Sequence, residues 1–255
     1  GNALKELNTP REKVVIASKV YFNPGKLSKE AIIRECDQSL KRLQTDYLDL
    51  YQIHRFDYDT PIEETMKALN ELVKSGKVRA IGASAMYAYQ FHNMQVVAKE
   101  HGWTLFSTMQ NHYNLLYRED EREMIPVCNQ YNVSLIPYSP LAGGHLTHLN
   151  WETDTARSKT DNTLRKKYDS AKDNDLQIIK RVNQLAQKYN VSMAQISLAW
   201  LYKKGVASPV VGATKINHFE DAVKAIDLDL SNDDCKYLEE LYINHKIVGA
   251  LPEGK

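Results

Sequence analysis

The chain has little that would tie it together covalently or anchor it. Its 255 residues hold three cysteines. Cys36, Cys128 and Cys235 are far apart, odd in number, and lack the C-x-x-C or Cys/His spacing of a zinc site. That excludes a disulfide scaffold and predicts buried thiols, no metal, and a reducing, cytoplasmic compartment. No run of about 18 apolar residues occurs, and no basic region leads into an apolar one at the start, so no membrane association is expected. Neither sign of charge dominates: Lys+Arg 33 against Asp+Glu 32 leaves a formal +1. A field that weak does not gather nucleic acid, and any anion site must be local. Glycine is missing where a phosphate loop would need it. No G-x-G-x-x-G or G-x-x-x-x-G-K-[ST] follows an early strand, which removes the main support for a Rossmann or P-loop protein.

What is present is an alternation. With 43% apolar and 25% charged residues, the chain is long enough for one large domain, or at most two small ones, and residues 1–255 are expected to form a single domain. Short β-rich runs stand at 13–20 (KVVIASKV), 47–54 (YLDLYQIH), 78–84 (VRAIGAS), 105–110 (LFSTMQ), 133–139 (VSLIPYS) and 208–213 (SPVVGA). Helix-period segments stand at 28–43, 87–101, 119–131, 173–189, 192–204, 217–226 and 232–242. One further helix follows residue 59: Thr60 is the expected N-cap, with Pro61 at the first helical position and Glu63 completing a capping box. Ile62, Met66, Leu69 and Val73 follow at helical spacing, and Gly76 ends the helix. Ser192 and Gln195 form a second capping box.

Strands that are apolar on both faces and joined by helices require a parallel sheet covered by those helices. That means an open doubly wound sheet or a closed (β/α)8 TIM barrel. In a barrel, functional side chains stand at the C-terminal strand ends. Polar residues do close these runs: Lys19, His54, Ser84, Gln110, Tyr138 with Ser139, and Thr214 with Lys215. A single polar ending is ordinarily a structural or solvent-facing residue. Several in register predict one mouth, and with it the barrel.

These segments resemble the aldo-keto reductases, and most closely their fungal aryl-alcohol-dehydrogenase-like branch. IASKV resembles the strand that carries the family's lysine, DLYQIHR its histidine strand, and VRAIGAS the strand that ends at the nicotinamide carboxamide. MQNHYNLLYRE, IPYSPLAGG and VVGATKINHFEDA resemble, in order, its QxxYNLLxR segment, its tyrosine-stacking strand with pyrophosphate loop, and its adenosine-phosphate segment.

The resemblance implies an NADP(H)-dependent oxidoreductase that reduces a small-molecule aldehyde or ketone. Hydride comes from nicotinamide C4 and the proton from a tyrosine hydroxyl. A phenol has a pKa of about 10, so a nearby ammonium is needed to bring it toward working pH. Lys19 matches that ammonium, and His54 matches the group that bonds the carbonyl or assists the proton relay. Ser84 and Gln110 would hold the carboxamide, and Tyr138 would stack under the nicotinamide. Ser139, Leu141, Gly143 and Gly144 would wrap the pyrophosphate. Gly212, Ala213, Thr214, Lys215, His218 and Asp221 would form the adenosine-phosphate end, with Lys215 favouring NADPH over NADH. The segment 146–172 reads as a polar surface lid, from which Arg157 would reach the cofactor phosphates. Tyr21, Phe22, Phe56, Tyr58 and Tyr87 near the strand ends suggest apolar or aromatic aldehydes.

The chain departs from the family's pattern in four places. Ala85 stands where the family often has Asn, which removes one carboxamide contact. Asp221 and Ala222 replace the usual pair that grips adenine. No Asp or Tyr here matches the family's catalytic pair, which its second βα unit delivers just upstream of a segment resembling GNALKELN. Only the equivalents of strands three to eight are visible, so two N-terminal βα units and the proton donor are expected ahead of Gly1, and the passage VYFNPGKLS is shorter than the family's loop. The alternative function is an NADP(H)-binding subunit without turnover, similar to potassium-channel β subunits.

Overall fold

The computed structural model describes residues 1–151, 167–213 and 215–247. Its helices start and stop where short polar residues and left-handed positions allow. α1 is Asn2–Glu6. α2, Lys29–Leu43, opens with the Ser28 side chain accepting the Ala31 N–H and closes at Gln44 in the left-handed region. It buries Ala31, Ile32 and Cys36. α3, Ile62–Lys74, buries Met66, Leu69 and Leu72 and stops before Gly76 at φ 79°. Its expected cap is not made: the Thr60 hydroxyl donates to Asp57 Oδ2 at 2.7 Å, and Pro61 precedes the helix with no side-chain cap. Asp57 wins because it is buried and also accepts the Leu27 N–H, so the loop after residue 54 is organised around it. α4 is Ala88–Glu100 and α5 is Met124–Gln130. The helix expected over 119–131 is broken into a 3-10 turn, Glu119–Glu121, and α5. Pro126 accounts for the break, since its ring fits a first helical turn but not a helix continuing from upstream.

Among the described residues the sheet has five strands in the order β1-β2-β3-β4-β5. These are Ala17–Val20, Leu48–Ile53, Val78–Ser84, Phe106–Gln110 and the two-residue Ser134–Leu135. β1 to β4 pair in parallel, with Lys19 opposite Gln52, Gln52 opposite Gly82, and Gly82 opposite Thr108. β1 is shorter than the expected 13–20 because the Asp49 carboxylate takes the Ile16 N–H at 2.9 Å. β5 is shorter than 133–139, and 208–213 forms no strand. Ala207 and Val210 donate to the carbonyls of Leu135 and Pro137 at 3.0 and 2.9 Å. Pro137 and Pro209 carry no N–H, and that leaves the pairing too sparse for a ladder.

The chain divides into two compact units. Among the described residues the first comprises Gly1–Gln110 and Pro126–Ser134, and contains β1 to β4 with α1 to α4. The second comprises Asn111–Ile125 and Leu135–Val248. Its core is built by α6, Lys172–Tyr189, and α7, Met193–Lys203. The Ser192/Gln195 box caps α7 as the sequence predicts. α8, Ile216–Lys224, buries no residue and leaves Ile216 and Phe219 exposed. α9, Asn232–Glu239, is capped by Ser231. The three cysteines are free and buried. Among the described residues no helix is long and apolar enough to cross a membrane, and no group of three or more His, Cys, Asp or Glu could hold a metal.

Candidate active site

In the first unit, the parallel register carries four predicted residues to the ends of successive strands. Lys19 is the penultimate residue of β1, and His54 follows β2, its N–H donating to the Val20 carbonyl at 3.0 Å. Both side chains are half-buried, and burial lowers the Lys19 ammonium pKa. His54 is lowered too, by burial first and then by the charge of Lys19. The two therefore share one electrostatic environment, which favours a neutral imidazole beside an ammonium. The ring of Phe22 lies edge-on to His54, with centroids 4.8 Å apart.

Ser84 and Gln110 end β3 and β4 opposite one another. The Ser84 hydroxyl donates to the Gln110 carbonyl at 2.6 Å, so what it can still offer a ligand is an acceptor lone pair. Ala85 follows at φ 36°, a left-handed position that Asn tolerates better than Ala. Below these ends lies a row absent from the sequence reading: Lys19, Gln52, Gly82 and Thr108, one residue from each strand. A Cβ on Gly82 would stand 2.2 Å from Thr108 Oγ1, so only glycine fits. Gln52 Oε1 and Thr108 Oγ1 are buried with no hydrogen-bond partner among the described residues.

In the second unit, Tyr138 is held by a backbone bond from its N–H to the Asn111 carbonyl at 2.8 Å. Its ring stacks on His112, with centroids 5.0 Å apart and planes 8° apart, and the Lys167 ammonium stands 4.7 Å from the Tyr138 ring centroid. The turn that follows is built from left-handed residues: Ser139 at φ 54°, Ala142 at 49°, Gly143 at 67° and Gly144 at 112°. Only glycine takes the last of these without strain. Leu141 precedes the 3-10 stretch Ala142–Thr147, and its carbonyl accepts the Gly144 N–H at 2.8 Å. The Gly144 N–H, expected to approach a pyrophosphate, is thus used within the turn.

Gly212, Ala213, Lys215 and His218 are exposed, and Asp221 is partly so. Lys215 immediately precedes α8, where a helix N-terminus and a cation lie together in water. Arg157 and Thr214 lie outside the described residues. The sequence reading missed His112, Asn114 and Tyr168, all buried, with His112 and Asn114 each hydrogen-bonded to the Tyr168 hydroxyl. The signal was available in Asn111, His112 and Asn114, three polar residues within an otherwise apolar, buried run.

Comparison with known proteins identifies a family. The profile described as the Aldo/keto reductase family matches residues 1–243. A protein of Schizosaccharomyces pombe, provisionally named an aryl-alcohol dehydrogenase, is 48% identical over 279 residues, covering 98% of this chain and 85% of its own length. An aldo-keto reductase of Fusarium vanettenii is 42% identical, covering 97% of this chain and 74% of its own. The versiconal hemiacetal acetate reductase of Aspergillus parasiticus is 41% identical, covering 95% of this chain and 78% of its own.

Proposed function

The chain belongs to the aldo/keto reductase family, a family of (β/α)8-barrel oxidoreductases that use nicotinamide cofactors, and from that premise we propose that it is an NADP(H)-dependent reductase of small aldehydes and ketones, aromatic ones included. The observation that carries the reading is the pair at the ends of β1 and β2: an ammonium and an imidazole, both with lowered pKa, the charge of the first acting on the second.

The residues present fit the cofactor. Tyr138 offers a flat ring, Ser139 to Gly144 form a left-handed turn of small residues, and Lys215 brings a cation to a helix start. When bound, NADPH supplies the hydride. On this reading Ser84 and Gln110 orient the carboxamide, Tyr138 supports the ring, and Lys215 with His218 selects the 2′-phosphate. The proton comes from a tyrosine hydroxyl, which the resemblance carries on a segment ahead of Gly1. Lys19 raises that phenol's acidity by favouring its anion, and neutral His54 donates a hydrogen bond to the carbonyl oxygen as charge develops there. The adenine end is the poorest fit, with Asp221 and Ala222 in place of the expected pair. The reading assigns the protein to the reducing cytoplasm, in keeping with its three free thiols. The test is NADPH consumption by the natural polypeptide with a reactive aromatic aldehyde. Turnover that is faster with NADPH than with NADH supports the reading, and absence of turnover with either cofactor rejects it.

A further inference from the structure

We infer that His112, held by Tyr168 and Asn114, is a positioning residue that fixes the plane of Tyr138. The inference rests on the reading of Tyr138 as the support of the nicotinamide ring. Asn114 is fully buried and its amide is fully engaged: Nδ2 donates to the Ser139 carbonyl at 2.9 Å and to the Tyr168 hydroxyl at 3.0 Å, while Oδ1 accepts the Leu116 N–H at 2.9 Å. Since the Tyr168 oxygen accepts from Asn114, its own proton points to His112 Nε2, 2.8 Å away. That network assigns His112 as the neutral tautomer with its proton on Nδ1. Burial acts the same way, lowering the imidazole well below its ordinary range.

The ring so oriented stacks on Tyr117, with centroids 4.1 Å and planes 18° apart, and on Tyr138, at 5.0 Å and 8°. Tyr138 is therefore fixed in three ways. Its backbone forms a parallel bridge to His112, its ring lies flat on the imidazole, and the left-handed residue after it is tied through its carbonyl to Asn114. Ordinary packing does not account for the choice of histidine. His112 is 4% exposed and its Nδ1 finds no partner among the described residues, a cost that phenylalanine would avoid while filling the same space. What histidine adds is a ring whose rotation is locked by a hydrogen bond. A locked ring transmits that orientation to Tyr138, and on this reading Tyr138 presents one face of the nicotinamide.

The experiment uses the natural polypeptide with Tyr168→Phe, His112→Leu and His112→Phe. Tyr168→Phe removes one oxygen and no volume. It is expected to lower kcat about tenfold and the stereochemical fidelity of deuteride transfer from labelled NADPH. The aldehyde KM, and the affinity for adenosine 2′,5′-bisphosphate, which lacks the nicotinamide, should be unchanged. His112→Leu should lose more fidelity, and His112→Phe should regain part of it. In the unliganded protein, imidazole nitrogen NMR should report the Nδ1-protonated form of His112 and a change of that signal in Tyr168→Phe. Folded variants with wild-type rate and fidelity would overturn the inference alone. A natural polypeptide that binds adenosine 2′,5′-bisphosphate but gains nothing from the nicotinamide would overturn the role of Tyr138 and this inference with it.

Discussion

The strand ends of the first unit and the loops of the second solve different physical problems. Lys19 and His54 are half-buried on strands whose register leaves them little freedom, and burial moves the proton affinity of both. Lys215 and His218 stand in water at the start of a helix that buries nothing, and the turn from Ser139 to Gly144 is shaped by left-handed backbone angles. Acid–base chemistry needs a side chain whose protonation is tuned, and tuning needs a partly dry, rigid setting. Holding a phosphate needs only charge and N–H groups of fixed direction, which a solvated loop supplies.

If that contrast is right, removing charge in the two units should have different consequences. The largest effect is expected for Lys19→Met, which should slow hydride transfer by about 10²–10⁴-fold while leaving NADPH affinity nearly intact. Single-turnover absorbance and fluorescence titration separate the two, and weakened binding with normal chemistry would reverse the assignment of roles.

The second unit has a tuned pair of its own, between α6 and the irregular segment after α9. His245 Nε2 lies 3.3 Å from Asp175 Oδ2, both side chains essentially inaccessible, and the His245 N–H and the Tyr242 hydroxyl both donate to Glu119 Oε1. Burial opposes the His245 charge, but the bond and charge of Asp175 raise its pKa overall, and burial raises Asp175 as well. Both groups bind protons more tightly folded than unfolded. The His245 contribution is therefore complete below the ordinary histidine value of about 6.5 and is lost as pH rises through the raised one, while that of Asp175 is complete only below the ordinary carboxylate range and is lost as pH rises through its own raised value. His245→Gln is expected to lose about 3 kcal/mol at pH 6. Thermal unfolding across pH should show the wild-type advantage shrinking on the alkaline side, and an advantage that grows there would contradict the sign.

Lys215→Ala should weaken NADPH about tenfold, roughly 1.4 kcal/mol, with NADH unchanged. Titration of both cofactors checks it, and an equal loss for each would make Lys215 structural. The smallest effect belongs to Ala85→Asn. Asn suits φ 36° better than Ala, so a gain of about 0.5 kcal/mol in stability is expected in denaturant unfolding, with slightly tighter cofactor binding.

How far the sequence could be read followed the range of the interactions involved. The boundary at Gly76 and the Ser192/Gln195 box were legible because a cap is decided within a few residues. Lys19, His54, Ser84 and Gln110 were legible because a parallel strand's end is marked by where its apolar run stops. Thr60 was misassigned because its hydroxyl is drawn to the buried Asp57, a partner that lay outside the capping pattern. The run 208–213 has a strand's composition, but Pro209 removes a donor at its start and Pro137 one from the run it would pair with. His112 and Asn114 meet Tyr168 from 56 and 54 residues away, a pairing that no local pattern announces.

The cysteines, which take no part in the proposed chemistry, turn the molecule into its own clock. Cys36 and Cys128 are fully covered in the first unit, and Cys235 nearly so in the second. Burial also pushes the Cys36 thiol up to about 11, so very little reactive thiolate is present at neutral pH. A thiol reagent can then modify each site only as fast as the surrounding structure opens. Labelling followed by mass spectrometry would time the breathing of each unit separately, without introducing a single foreign residue.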